Sequence, residues 1–292
     1  MMLFFVQPLT AQINMQKEWL ENTIEVLFPG RTFKGQKIQC IEVETNIKQE
    51  NTRIERAPKK YIFSYNTNGE IESLIELNKK DSGYDSVYTF YYYNKETRLL
   101  ISRTYNNGSY TAVYETYDDK HRLVKRVQCS ETNLSGDFNF FKLGQQIVEQ
   151  SESFSYESLG NNQTRKRFLN DINTVYKEGI VYTDESGTRV TEQDFTFVTT
   201  GVRVSNQYVY DKQGRLTEKK YNSDAAGNLS EVTKYIYQDA LLNQERYERN
   251  NVLRNECFYF YHESNNLVES IVCKQTNSYR IDIFNFMVSF YP

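Results

Sequence analysis

YVYDKQGRLTEKKY, from Tyr208 to Tyr221, is the stretch on which the fold turns. At its centre, Asp211, Lys212, Gln213 and Gly214 place an Asp, two free positions and a Gly in series. That is the composition of a type I turn closed by a residue in the left-handed region. Asp211 supports the turn through its side chain, and Gly214 supplies the positive φ that other residues resist. The flanks carry Tyr, Val, Thr and Leu, so the segment reads as a β-hairpin with Tyr210 opposite Leu216. Such a cross-strand pair stabilises a hairpin by roughly 0.2–1 kcal/mol.

Outward from this hairpin the unit recurs, with openings at Tyr65, Tyr93, Tyr117, Phe141, Tyr182, Tyr237 and Tyr261. The openings are 24 to 28 residues apart except for one interval of 41. Asp118 takes the Asp place in its copy, while Gly69 and Asn265 are the residues expected at positive φ in theirs. The expected pairs are Tyr93 with Leu99, Tyr117 with Leu123 and Tyr261 with Leu267. An isolated hairpin is marginal, so the units are expected to line up with the Tyr/Leu row as core. The polar stretch from Gln145 to Thr174, with its GNNQT segment, is expected to form a long loop or a break between sub-sheets. The resulting fold class is all-β: an extended twisted antiparallel sheet of successive repeat hairpins, with one short N-terminal helix and a single β domain over residues 31–292.

That helix is expected over residues 13–30. Asn14 can cap it, Leu20, Ile24, Leu27 and Phe28 share one face, and Pro29 with Gly30 stops it. Residues 1–12, with an apolar run from Met2 to Val6 and Ala11 as a cleavage position, read as a truncated export signal without the usual upstream Lys or Arg.

At this point the chain resembles the YD-repeat, or RHS-repeat, family. The closest copy is Tyr208–Tyr221, followed by GNL at Gly227–Leu229, and looser copies cover Tyr61–Ile147 and Gln207–Cys273. The resemblance implies successive antiparallel hairpins in a bacterial protein that is secreted, periplasmic or on the cell surface. It also implies a possible place in polymorphic toxin systems, as a shell fragment or a neutralising partner.

Charge and chemistry narrow the function. The formal net charge of -3 is of mixed sign along the chain, and without a basic stripe a nucleic-acid partner is not expected. No apolar run approaches the roughly 18 residues of a membrane-crossing helix. Alternation at Phe284, Phe286, Val288 and Phe290 raises a transmembrane barrel, but TEKKY and NQERYERN would put charge against lipid. Cys40, Cys129, Cys257 and Cys273 lack C-x-x-C spacing, which argues against zinc or redox chemistry. Cys257 and Cys273 flank one hairpin and are the pair to test for a disulfide.

His121 and His262 occupy turn positions, and neither a nucleophile elbow nor a phosphate loop is present. Glu218 and Glu269 fall on the Tyr/Leu face and are expected to pair with a neighbouring base such as Lys219 or Arg254. A carbohydrate-active enzyme would need two carboxylates facing one groove. No catalytic residue, metal or cofactor is therefore expected. The opposite face carries Tyr92, Tyr114, Phe258 and Phe260, candidates for stacking on a glycan or anchoring a protein partner. Open sheet edges offer strand addition as a second mode.

Overall fold

The computed structural model describes residues 19–292 apart from 25, 29–31, 34, 81–82, 95–97, 138–139, 226 and 277. The expected export segment and Asn14 lie outside the described residues. A short helix, α1, is described over residues 19–24 and 26–27, and the Phe28 amide donates to the Ile24 carbonyl at 2.9 Å.

The rest is strand. First come β1 (Thr32–Phe33), β2 (Gln36–Lys48), β3 (Glu55–Tyr65), β4 (Ile71–Lys80), β5 (Gly83–Tyr93), β6 (Leu99–Asn106), β7 (Ser109–Tyr117), β8 (Leu123–Asn133) and β9 (Leu143–Gly160). They are followed by β10 (Gln163–Leu169), β11 (Val175–Thr183), β12 (Val190–Phe197), β13 (Arg203–Tyr210) and β14 (Leu216–Ser223). The last are β15 (Leu229–Gln238), β16 (Leu241–Arg249), β17 (Val252–Tyr261), β18 (Val268–Gln275) and β19 (Ile281–Phe290).

From β2 onward each strand pairs antiparallel with the next, and β19 pairs back onto β2 from Ile281↔Lys48 to Phe290↔Ile38. The result is a closed up-and-down barrel of 18 strands rather than an open sheet. Closure satisfies the backbone groups that an open sheet leaves on its edges, so the strand-addition mode loses its template. Because strands alternate in direction, the YD-type turns share one rim with the β9–β10 turn, and the turns that lead from even-numbered to odd-numbered strands form the other.

Hairpin geometry at Asp211 follows the sequence. Its carboxylate accepts from the Gln213 and Arg215 amides at 2.9 Å each and pairs with the Arg215 Nε at 2.7 Å. Gly214 has φ +79° and its amide donates to the Asp211 carbonyl at 2.9 Å. Asp118 repeats this with Arg122, and Gly69 has φ +81°. Tyr93↔Leu99, Tyr117↔Leu123 and Tyr210↔Leu216 pair as expected. Asn265 does not take the left-handed position: Asn266 does, at φ 62°. The Asn266 amide reaches back to the His262 carbonyl at 2.9 Å, which lengthens the turn by one residue and sets Tyr261 opposite Val268 instead of Leu267.

Two other expectations fail. The stretch from Gln145 to Thr174 is continuous sheet: β9 and β10 pair through a tight turn at Asn161 and Asn162, both at positive φ. A polar strand is tolerated there because much of β9 and all of β10 are partly exposed. Phe141 opens no hairpin. It sits in the connection from β8 to β9, with its ring 5.0 Å from that of Tyr110.

The structure also shows what the repeat does between hairpins. The Tyr210 hydroxyl donates to the Val190 carbonyl at 3.0 Å, Tyr237 to Leu216 at 3.1 Å and Tyr261 to Leu242 at 2.7 Å, each acceptor lying at the start of the preceding hairpin's return strand. The Arg of one turn lies over the next tyrosine, with Arg215 Cζ 4.3 Å from the Tyr237 ring centre and Arg122 Cζ 4.6 Å from that of Tyr156. Register shifts by one residue beside Tyr210, Tyr237 and Tyr261, a bulge that re-aims the side chains there.

Candidate functional site

The face that encloses the lumen can be identified from α1. Leu20, Ile24 and Phe28 are buried among Ile41, Tyr61, Phe63 and Leu74 on one side and Tyr259, Ile271, Phe284 and Phe286 on the other. Trp19, Asn22, Thr23 and Val26 border a cavity with Asn206 on β13. A helix roughly 10 Å across thus meets one face of ten consecutive strands, β13 round to β4, a contour of about 43 Å. Only a concave face permits this, so α1 lies inside the barrel.

Alternation then assigns every strand. On β3 and from β9 to β19 inward-facing positions are rich in rings: Tyr61, Phe63, Phe154, Phe168, Phe195, Tyr221, Tyr235, Tyr247, Tyr259, Phe284 and Phe286; on β4–β6 the order reverses, with Ile75, Tyr88, Phe90 and Tyr105 facing out and Glu76, Thr89, Ser102 and Thr104 facing in. Facing outward, Glu218, Lys234, Arg246, Glu256 and Lys274 form one cross-strand row across β14–β18. Ion pairs knit this face together, including Lys220 with Glu218 at 2.9 Å, Lys234 with Glu248 at 3.1 Å and Arg246 with Glu256 at 2.9 Å. Glu218 is therefore outside, paired with Lys220 rather than Lys219, because the bulge beside Tyr210 re-phases β14. Glu269 is exposed and lies 3.8 Å from His262.

Beside α1 the lumen holds a cavity of about 390 Å³ lined by Trp19, Asn22, Asn206, Lys219, Tyr221, Glu231, Thr233, Tyr235, Glu245 and Tyr247 among others. Glu245 sits deepest in its environment. Its carboxylate accepts from Trp19 Nε1 at 3.2 Å and from the Tyr259 hydroxyl at 3.0 Å. Burial raises its pKa, and the two hydrogen bonds only partly oppose this. Glu231 accepts from the Tyr247 hydroxyl at 2.7 Å. Both cavity carboxylates are held by tyrosine, and the chemistry on offer is hydrogen bonding and ring stacking.

The four aromatic candidates all face outward but do not form one surface. Tyr92 and Tyr114 flank Ile101 on neighbouring strands, while Phe258 and Phe260 lie on β17, six strands away round the wall. Tyr92 is 41% exposed and Phe260 50%, whereas the Tyr114 hydroxyl donates to Glu131. Glu131 is buried and paired with Arg103 Nε at 2.7 Å, beneath the Phe141 ring, whose centre is 3.8 Å from Arg103 Cζ. Burial would raise the Glu131 pKa, but hydrogen bonds from Arg103, Tyr114 and Gln146 hold it below the usual range. This cluster anchors the β8–β9 connection.

Cys257 and Cys273 are directly paired across β17 and β18 and disulfide-bonded, with Cα atoms 4.0 Å apart. Cys40 and Cys129 are free thiols. Among the described residues no cluster of His, Cys, Asp and Glu could hold a metal, and no helix is long and apolar enough to cross a membrane. The sequence signal missed was the inward alternation of Tyr with Glu, Thr and Lys along β14–β16, which reads as solvated surface until closure turns it inward.

No family model and no curated protein matches the sequence. Among solved structures, a porin-like protein from Bacteroides uniformis is similar with a TM-score of 0.42 at 10% identity, over 86% of this chain and 96% of that one. A porin-like protein from Bacteroides vulgatus gives 0.34 at 11% identity, over 85% and 98%. A LolA superfamily protein from Nitrosomonas europaea gives 0.23 at 10% identity, over 94% and 93%. None of these scores reaches 0.5, and the functional reading that follows rests on the barrel's own side chains.

Proposed function

We propose that this is a non-catalytic binding protein, secreted or of the bacterial envelope, that takes its ligand inside the barrel rather than on its outer aromatic residues. The observation that carries this reading is the polarity of β14–β18: rings there face the lumen and a charged row faces out. A lipid-facing barrel wall has the reverse arrangement, and each Lys or Arg at mid-membrane would cost about 2–4 kcal/mol. An aromatic cavity with a few convergent polar groups is the usual form of a ligand site. The Cys257–Cys273 disulfide fits an oxidising compartment. The Asp-Arg-Tyr link between hairpins supports placing the chain with YD-type repeats.

Trp19 is the single tryptophan of the chain and borders the cavity, so its emission reports on occupancy. The test titrates maltooligosaccharides, peptidoglycan fragments and single-chain amphiphiles against three proteins. These are the wild type, an outer variant (Tyr92→Ser, Phe258→Ser, Phe260→Ser) and an inner variant (Tyr221→Ala, Tyr247→Ala). Tyr114 is left in place because its hydroxyl holds Glu131. A ligand whose signal survives in the outer variant and is lost in the inner one is the expected result. Binding lost from the outer variant and kept in the inner one would overturn the lumen reading.

A further inference from the structure

The part of the lumen wall formed by β9–β12 differs from the part that packs on α1. There, inward-facing side chains such as Phe168, Phe197, Lys166 and Lys177 are only partly buried. Two inner rows run side by side. Phe154, Phe168, Lys177 and Phe197 form one, and Tyr156, Lys166, Gly179 and Phe195 the next.

Both lysines lie over rings. Lys166 Nζ is 4.9 Å from the centre of Phe154, 5.5 Å from Tyr156 and 4.7 Å from Phe168. Lys177 Nζ is 4.7 Å from Phe168, 4.8 Å from Phe195 and 5.1 Å from Phe197. Since each lies 4.7 Å from the same Phe168 ring centre, the two ammonium groups are no more than twice that distance apart. Phe154 and Phe195 meet Phe168 edge-on at 5.4 and 5.3 Å, which makes a continuous apolar strip between the cations.

Neither ammonium has a hydrogen bond or ion-pair partner among the described residues, whereas Lys60, Lys80, Lys220 and Lys234 each meet a carboxylate. The carboxylate that bears on both, Glu152, already accepts from the Tyr176 hydroxyl. Burial depresses both lysine pKa values, with Glu152 opposing, so the site holds its positive charge at a cost that an incoming anion would relieve. Ring faces attract each cation but do not replace the hydrogen bonds that an ammonium makes to an anion.

We infer that Lys166 and Lys177 form a receptor for the anionic head of a single-chain amphiphile, whose apolar tail lies along Phe154, Phe168, Phe195 and Phe197. The inference rests on the reading that ligands enter the lumen. Two cations without carboxylate partners among the described residues, set in a phenylalanine strip, match a charged head on an apolar chain. Phe168 and Lys177 stand close to the rim where β10 gives way to β11, opposite the rim where the chain passes from α1 into β2.

The test is calorimetric titration of the full chain with decanoate, decan-1-ol and inorganic phosphate. It is run on wild type, on Lys166→Met/Lys177→Met and on Lys166→Arg/Lys177→Arg, with melting curves to confirm folding. Decanoate is expected to bind wild type at least tenfold more tightly than decan-1-ol and than phosphate, with affinity falling as salt rises. The Met pair should bring decanoate down to the level of the alcohol, and the Arg pair should keep the preference. Equal affinity for acid and alcohol in wild type, or a preference that survives in the Met pair, overturns the lysine site and leaves lumen binding standing. Phosphate binding as tightly as decanoate overturns the amphiphile. Failure of all three probes to bind folded protein overturns the lysine site, while lumen binding is decided separately by the Trp19 titrations of the inner and outer variants.

Discussion

Replacing Tyr210, Tyr237 and Tyr261 together by Phe isolates the hydrogen bonds that tie successive hairpins. The rings stay, and with them the stacking of Arg215 on position 237, so only three hydroxyls are lost. Their carbonyl partners lie at 3.0, 3.1 and 2.7 Å, and Leu242, the acceptor for Tyr261, is only 4% exposed. A hydrogen bond of this kind contributes about 0.5–1.5 kcal/mol net, and a buried carbonyl left bare pushes the cost to the upper end. The three tyrosines sit on β13, β15 and β17, about 10 Å apart in steps of two strands, far enough for their effects to add. The triple variant should therefore lose about 3 kcal/mol, with Tyr261→Phe the largest single effect. Equilibrium urea unfolding followed by circular dichroism and Trp19 emission measures it, with Tyr84→Phe at a 61% exposed position as control. A triple variant within about 0.5 kcal/mol of wild type, the range of an ordinary surface change, would refute the idea that these hydroxyls order the hairpins.

Gly214→Val should destabilise by about 1–3 kcal/mol, since a β-branched residue resists φ +79° and its Cβ would lie 2.6 Å from Arg189 Cζ; an unchanged melting temperature would contradict the turn. Burial raises the Glu245 pKa in the folded protein, so that group's stabilising effect is complete below the unfolded value of about 4.3 and is lost as pH rises through the folded value. Glu245→Gln should therefore melt higher than wild type at neutral pH and lose that advantage near about pH 4, and parallel melting profiles would show that the carboxylate is solvated. Replacing Cys257 and Cys273 by Ala opens a loop with a sequence separation of 16 and should cost about 2–4 kcal/mol in urea unfolding, with equal midpoints under reducing and non-reducing conditions in the variant alone.

What could be read from the sequence was local. Asp118, Asp211, Gly69 and Gly214 announce their turns because the turn residues themselves fix the geometry. HESNN offers two asparagines for one left-handed position, and the choice between Asn265 and Asn266 depends on a backbone bond back to His262. Closure was invisible, because β2 and β19 carry no mark of each other. That omission decided the site. Without closure the two faces of the sheet are equivalent, and attention falls on Tyr92, Tyr114, Phe258 and Phe260, which turn out to lie on the convex side. Lys166 and Phe168 lie on β10, within the stretch whose polarity suggested a loop, so the direction they share with Lys177 on β11 had no meaning until β10 was seen as wall.

Hairpins fastened to their neighbours by the same tyrosine contact, as at Tyr210, Tyr237 and Tyr261, are interchangeable members of a ring. Gene duplication or loss of one 24-to-28-residue unit would leave a closed ring with no exposed edge. Each added pair of strands lengthens the circumference by about 10 Å, and so widens the bore by roughly 3 Å before tilt is counted. Descendants of such a gene can be expected to differ in calibre, and hence in the size of guest, while keeping the same rim chemistry.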